Sequence, residues 1–432
     1  MTTLVRCLYT LSLVLISPLL LWGLYCSRPN KPSFGERWVE HFGFLPKIEN
    51  RRNGVIWLHA VSVGEVIASS KLIAELTAKY QDKTVLVTTT TSTGAEQVEK
   101  IIQNVGSGVV HRYMPIDFSW CVRRFLRTVK PEMMLIIETE IWPNTIHTVA
   151  SQNIPIVLIN GRLSEKSATN YHKLRLLIAP ALKKLRFLLV VHEDDQARFI
   201  GLGVKPGKVE ATGSLKYDIT VDDAVMASAE KLRKQLGSER KVWIAASTHE
   251  GEDEQILAAY QIAKKNVPEL LLILVPRHPE RFDRVATLVK SLDLALVRRT
   301  QYQEEALDLD RNIDVYLADT MGEMMVLLAA SDLVFMGGSL LGKKVGGHNF
   351  IEPAYLSKPI ITGPSYFNFQ ALADELINNN ALIVLSENDL STKVHELSLD
   401  ASDYGKRAFE VVNVNRGSLV KTLHWIDVLY KI

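Results

Sequence analysis

The sequence predicts an α/β protein built from two successive doubly wound parallel sheets, preceded by an apolar anchor helix. Three observations carry this reading. Short apolar runs alternate with helix-period stretches from residue 54 onward. The alternation lapses into a polar, charged stretch and then restarts. The chain also opens on an uncharged apolar segment of about 20 residues, the length a helix needs to cross the hydrocarbon layer. At 432 residues, 47% of them hydrophobic, the chain is too long for one ordinary core, which again favours two domains.

The anchor comes first. Residues 7–27 carry no charged side chain and are rich in Leu, Val and Ile, with Pro18 placed to kink a helix. A secretory signal is the rival reading, but no small-x-small cleavage site follows, and Ser27-Arg28-Pro29-Asn30 is a poor substitute. Arg28, Lys31, Arg37, Lys47, Arg51 and Arg52 follow the segment, whereas only Arg6 and the terminal amine precede it. The positive-inside rule then places the body of the protein in the cytoplasm. Residues 1–30 are therefore expected to be anchor and flank.

The first domain, 31–217, holds apolar runs at 55–58, 84–88, 133–137, 155–159 and 187–191. Continuous apolar runs of this length suit parallel strands covered on both faces. The helix-period intervals between them supply right-handed crossovers. Residues 218–240 are expected to be a linker with one amphipathic helix. The second domain, 241–432, resumes with runs at 242–245, 270–275, 294–297, 315–317, 333–336 and 359–361, and ends on a closing helix. Two such domains are expected to face a cleft. Ligands of open α/β sheets bind at the carboxyl ends of the strands.

Chemistry-bearing residues sit at those strand ends. His59-Ala60-Val61-Ser62-Val63-Gly64-Glu65 follows the first strand and runs into a helix. A lone Glu65 would suit the helix dipole, but the crowding of His59, Ser62 and Glu65 on one loop suits a general base. Glu138-Thr139-Glu140-Ile141-Trp142-Pro143 places two carboxylates at another strand end. Glu140 or Thr139 could cap the helix at Pro143, and Glu138 is the more ligand-facing. Gly213-Ser214-Leu215-Lys216-Tyr217-Asp218 offers Lys216, either a solvated lysine or a cation for an anionic leaving group.

In the second half, Ser247-Thr248-His249 opens a helix expected at Glu250, and Pro276-Arg277-His278-Pro279 holds an arginine between prolines at a strand end. Such an arginine suits phosphate or nucleobase contacts. Asp319-Thr320-Met321-Gly322-Glu323 starts another helix. Gly337-Gly338-Ser339-Leu340 and Gly346-Gly347-His348-Asn349-Phe350-Ile351-Glu352-Pro353 come next, where glycines allow close backbone approach and Glu352 can accept from ribose hydroxyls.

Other chemistries find no support. A net charge of +2 gives no whole-molecule pull toward nucleic acid. Three scattered cysteines, Cys7, Cys26 and Cys121, argue against a disulfide framework and fit a reducing compartment. His249-Glu250 lacks the second histidine of a zincin, Gly201-x-Gly203 lacks its third glycine, and there is no P-loop. No paired-aspartate motif at a strand end calls for a metal.

Taken in order, HAVSVGE, IIETEIWP, INGRLS, GSLKYD, LVPRHPERF, DTMGE, GGSL and GGHNFIEPA resemble the Kdo transferases of Gram-negative bacteria across nearly the whole chain. The resemblance implies a GT-B glycosyltransferase with two Rossmann-like domains, the first for acceptor and the second for donor. It implies transfer of 3-deoxy-manno-octulosonic acid (Kdo) from CMP-Kdo to the lipid A precursor lipid IVA at the inner membrane, with inversion and without a cofactor or metal. It also implies Glu65 as catalytic base, Glu138 as a second essential carboxylate and Lys216 as the residue that steadies the transition state. CMP contacts fall on Pro276, Arg277, Met321, Gly322, Glu323, Asn349, Phe350, Ile351 and Glu352. The acceptor is an acylated disaccharide bisphosphate, and basic residues among Arg162, Lys166, Lys173, Arg175, Lys183, Lys184 and Arg186 are expected to meet phosphates or the anionic leaflet. Another GT-B nucleotide-sugar transferase or epimerase is the alternative, and a tethered binding protein without catalysis is a third reading, opposed by the presence of both Glu65 and Glu138.

Overall fold

A computed structural model of the chain describes residues 2–26, 32–48, 51–301, 312–400 and 402–431. It resolves into two compact units, Met1–Asp218 with Arg416–Ile432, and Ile219–Asn415. Ser27, Arg28 and Lys31, the expected end and basic flank of the anchor, lie outside the described residues.

Unit 1 is built on seven strands: β1 (Gly54–His59), β2 (Lys83–Thr89), β3 (Val109–Tyr113), β4 (Met133–Ile137), β5 (Ile156–Gly161), β6 (Phe187–Val190) and β7 (Val209–Ala211). Their order is β3-β2-β1-β4-β5-β6-β7, and every pair is parallel. Alternation along β1 explains why its whole run is apolar. Val55 and Trp57 enter the core on one face, and Ile56 and Leu58 enter the core on the other. The order reverses direction between β1 and β4, which is where such sheets place their ligands.

Unit 2 repeats the plan with β8 (Val242–Thr248), β9 (Leu271–Pro276), β10 (Leu296–Arg298), β11 (Val315–Leu317), β12 (Leu333–Met336), β13 (Ile360–Thr362) and β14 (Leu382–Val384). The order is β10-β11-β9-β8-β12-β13-β14, again all parallel, with the reversal between β8 and β12.

The chain divides differently from the expected boundaries. Residues 218–240, read as a linker, carry the helix Asp223–Leu236, which packs on Met324–Ala330 within unit 2. Its Arg233 guanidinium fixes it through Asp332 at 3.0 Å and the Ala330 carbonyl at 3.2 Å. The final helix, Ser418–Lys431, expected to close the second domain, groups instead with unit 1. The Asp218 carboxylate accepts from the Gly417 and Leu419 amides, both at 2.6 Å, so a residue far upstream satisfies free amides at that helix's start. Leu419 and Ile426 then join the core beneath the helix Val63–Lys79.

The opening segment forms one helix, Thr2–Tyr25, straight through Pro18. Among the described residues no helix is long and apolar enough to cross a membrane, so the span expected at 7–27 is not reproduced as a span. The helix is two-sided. The Tyr9 hydroxyl donates to the buried Asp117 at 2.8 Å, and the Asn144 amide donates to the Thr10 hydroxyl at 2.9 Å, docking one side on unit 1. On the other side Leu4, Leu8, Leu11, Leu15, Leu19 and Trp22 are exposed at helical spacing.

Candidate active site

In unit 1 the loop after β1 brings Glu65 into the first turn of the helix Val63–Lys79. The residue is only 8% exposed. It accepts from the Val61 amide at 2.7 Å and the Ser62 hydroxyl at 3.0 Å. Burial raises its pKa from 4.5 to about 7, against the pull of those two hydrogen bonds, and the nearby Glu138 and Glu140 charges add to the rise. The residue is therefore both a local cap and a carboxyl titrating near neutrality, which is what a general base needs. The expected crowd is looser than the sequence suggests. Ser62 does meet Glu65, but His59 turns inward, its Nδ1 3.1 Å from the Thr88 carbonyl oxygen. That ring is 1% exposed, and burial pushes its pKa down to about 4.

Glu138 lies just past β4 in the left-handed region, φ +59°. A non-glycine residue held there is strained, and such strain concentrates at sites that need a side chain aimed one way. The Lys216 ammonium stands 3.5 Å from its carboxylate. Lys216 sits on a short turn, Leu215–Tyr217, held by Asn160, whose side-chain oxygen accepts the Leu215 amide at 3.2 Å. Asn160 is itself left-handed, φ +57°, at a break in register between β5 and β6. The structure thus joins Glu138 to Lys216, a pair that sequence separation hides. The helix at Pro143 is not capped by Glu140 or Thr139. Asp117 accepts its Asn144 and Thr145 amides, Glu140 accepts from the Trp142 indole, and Thr139 bonds to the backbone of Arg162.

In unit 2 a strand end, that of the central β8, also carries a break in register. Ser247 is left-handed, φ +58°, where the β8–β9 register shifts. The helix beyond it opens at Asp253, not Glu250. Between them, the fully buried Glu252 carboxylate accepts four backbone amides: His249 at 3.0 Å, Gly338 at 2.7 Å, Ser339 at 2.8 Å and Leu340 at 2.9 Å. One acidic side chain thereby stitches the loop after β8 to the loop after β12. Gly337 is required there because a Cβ would come within 2.7 Å of the Ser247 carbonyl oxygen.

The predicted donor contacts separate into exposed or half-buried residues and core residues. Pro276 ends β9 and is buried, while Arg277 is exposed and has no side-chain partner among the described residues. Met321 is exposed and Gly322 has φ +90°. Burial would raise the Glu323 carboxyl, but the Arg299 guanidinium and Thr320 hydroxyl outweigh it and hold the pKa below its usual value. Asn349 accepts the Ile351 amide at 3.1 Å. Phe350 and Ile351 are core side chains, so only their backbone is available to a ligand. Glu352 is half-buried with its pKa raised by burial, and its carboxylate has no hydrogen-bond partner among the described residues.

Sequence reasoning missed Asn160, Glu252 and a contact between two imidazoles. The His249 and His348 Nε2 atoms are 2.9 Å apart. No local pattern marks any of these, because each acts on a segment distant in the chain. Among the described residues no group of three or more His, Cys, Asp or Glu is placed to hold a metal ion.

Residues 36–219 match the family model described as 3-Deoxy-D-manno-octulosonic-acid transferase (kdotransferase). The chain is 36% identical over 423 residues to the 3-deoxy-D-manno-octulosonic acid transferase of Haemophilus influenzae, covering 97% of each chain. Among solved structures, the C-terminal CMP-Kdo binding domain of WaaA from Acinetobacter baumannii is 37% identical, covering 44% of this chain and 99% of that one, with a TM-score of 0.41. The UDP-GlcNAc 2-epimerase of Neisseria meningitidis covers 85% of this chain and 100% of its own at 16% identity and a TM-score of 0.50, a likeness of fold alone.

Proposed function

The chain belongs to the Kdo transferase family, and from that premise we propose that it moves Kdo from CMP-Kdo to a hydroxyl of an acylated disaccharide phosphate, lipid IVA or a close relative, in lipopolysaccharide synthesis. The observation that carries the catalytic assignment is the Glu65 carboxyl, buried and titrating at about 7 at the end of a central strand. At neutral pH a substantial fraction is ionised, yet it is basic enough to accept a proton.

The acceptor oxygen attacks the anomeric carbon as Glu65 removes its proton. The bond from that carbon to the phosphate oxygen breaks, and CMP leaves with the electron pair. One base opposite the leaving group suffices for inversion. In unit 2, Arg277, which has no side-chain partner among the described residues, offsets the growing phosphate charge; Lys216 of unit 1 keeps the role that the family resemblance implies, steadying the transition state. Glu352, half-buried and with no side-chain hydrogen-bond partner among the described residues, accepts from ribose hydroxyls. A monophosphate leaving group requires no metal bridge, so turnover is expected to survive EDTA.

The membrane is the acceptor's home. The exposed apolar stripe of Thr2–Tyr25 supports contact with it, whether as an anchor or lying along the interface. Lys166, Lys173, Arg175, Lys183, Lys184 and Arg186 are exposed along the same stretch of chain as the exposed Leu174 and Leu176, a mixture that suits an anionic leaflet. The inner membrane, with both units on its cytoplasmic face, is the location this reading requires. Incubating the purified protein with CMP-Kdo and a tetraacyl disaccharide bisphosphate, then weighing the lipid product, tests the assignment. No mass gain of one or more Kdo units would remove it. Mass gain from a UDP-sugar instead would favour the nucleotide-sugar alternative.

A further inference from the structure

The His249–His348 contact lies outside the nucleotide contacts assigned above. The rings are nearly parallel, 9° apart, with centroids at 5.1 Å, and His278 packs edge-on against His249 at 5.4 Å. Two Nε2 atoms at 2.9 Å must share one proton, so one ring donates and the other accepts. Whichever ring donates, its own Nδ1 carries the lone pair left to take a further proton. That proton would turn the bridge into a charge-assisted hydrogen bond, stronger than the neutral one.

The surroundings fix this pair and charge its rim. Gly338, φ +70°, leaves room for His348: a Cβ there would meet the His348 ring at 3.0 Å. The Glu252 carboxylate holds the backbone of both His249 and Gly338. Around the rings stand Arg277, His278 and Arg281, with Glu252 the acidic neighbour of His249. Arg281 is committed to Asp253 and the Glu252 carboxylate is held by its four amides, whereas Arg277 has no side-chain partner among the described residues. Without a ligand the pair stays neutral. Burial, and then the cations and imidazoles nearby, lower His348 to about 4, and burial chiefly lowers His249.

We propose that His249 and His348, with Arg277 beside them, form a receptor for the anionic end of the donor that takes up one proton as the anion docks. An anion docked beside Arg277 adds negative charge next to the rings, which raises the pair's affinity for a proton. The inference rests on the donor reading for unit 2. Linkage sets the sign. A group whose pKa is raised by the ligand strengthens binding at low pH and loses that strength as pH rises through the bound-state value. In that window the dissociation constant rises up to about tenfold per pH unit.

The test is titration calorimetry of the full chain with CMP, cytidine and inorganic phosphate between pH 6.5 and 8.5, in buffers of differing ionisation enthalpy, so that protons taken up are counted. Wild type should take up as much as one proton per CMP and none with cytidine. His348→Gln and His249→Gln should each abolish the uptake and weaken CMP roughly tenfold or more, with cytidine affinity unchanged. Uptake that persists in both variants would put the proton on the phosphate and overturn the proposal. Equal loss of cytidine binding would overturn it too, by making the pair a packing element. If wild type binds phosphate with proton uptake but does not bind CMP, the donor reading fails while the receptor stands. If it binds neither, both fall.

Discussion

Replacing Glu65 by Gln separates a base from a cap, because the two roles move activity and stability in opposite directions. Gln keeps the shape and can still accept the Val61 amide, but it has no basic lone pair to offer. A general base contributes a factor of roughly 10² to 10⁴, so turnover at pH 8 should fall by at least about a hundredfold. Stability should behave otherwise. The folded pKa is raised from 4.5 to about 7, so the native state binds more protons than the unfolded chain across that window, and stability falls as pH rises through it. The full shift corresponds to at most about 3 kcal/mol, and solvent screening at the carboxylate's edge reduces this to about 1 to 2 kcal/mol. Removing the charge should therefore leave the melting temperature at pH 8 equal to wild type or higher. A pure cap would lose about 1 kcal/mol and keep its activity. The assay is initial CMP release at saturating donor and acceptor from pH 5.5 to 8.5, alongside thermal melts. Wild-type turnover should climb about tenfold per pH unit below about 7 and then level off, and the Glu65→Gln profile should be flat. Near wild-type turnover in the variant, or a rising limb that survives in it, would refute the reasoning.

Arg277→Ala should weaken CMP by roughly tenfold or more with little change in acceptor KM; equal losses in steady-state kinetics would place the side chain elsewhere. Lys216→Met removes the partner 3.5 Å from Glu138 and should lower kcat at least about tenfold while the melting temperature moves by under about 1 kcal/mol equivalent, as for an exposed pair; an unchanged kcat excludes Lys216 from the chemistry. Leu11→Glu with Leu15→Glu, both on the exposed stripe, should abolish sedimentation with anionic vesicles while CMP affinity stays intact, and retained sedimentation would assign membrane contact to another surface.

The two-sheet architecture was legible because buried parallel strands leave unbroken apolar runs, and β1, β2, β4, β5, β6, β8, β9 and β12 all have them. The strands that escaped were edges or short. β3 alternates buried and half-exposed positions through His111 and Arg112, β7 is the three residues Val-Glu-Ala, and β14 lies at the far edge of its sheet. An edge strand has fewer neighbours to demand apolar side chains, so its signal is weak. The segment 218–240 read as a linker because its helix shows one narrow apolar face. The partner of that face is information held in Met324–Ala330. The residues that the sequence placed just past a strand, Glu138 after β4 and Arg277 after β9, do lie there. The long-range pairings were not legible, since Lys216 meets Glu138 and His249 meets His348 only through the crossovers between them.

The two units reach their strand-end sites by the same backbone device with opposite electrostatics. In each, a strand bordering or next to the switch point ends on a break in register that holds a left-handed non-glycine residue, Asn160 in β5 and Ser247 in β8. Bulges of this kind re-aim the residues beyond them. Asn160 then positions the turn that carries Lys216, and Ser247 leads into the loop that carries His249. Around the first, the charges are mainly acidic: Glu65 is pushed toward neutrality by burial and by two neighbouring carboxylates. Around the second, one buried carboxylate is consumed entirely by backbone amides, and the groups left facing outward are Arg277 and three imidazoles. A site that must take a proton from a neutral hydroxyl gains from carboxylates that repel one another, because repulsion raises basicity. A site that must hold a phosphate gains from cations with no internal partner. Left-handed backbone at Asn160 and Ser247 thus accompanies carboxylates on one sheet and an arginine with imidazoles on the other, and the proposed transfer from an anionic donor to an alcohol would use that division.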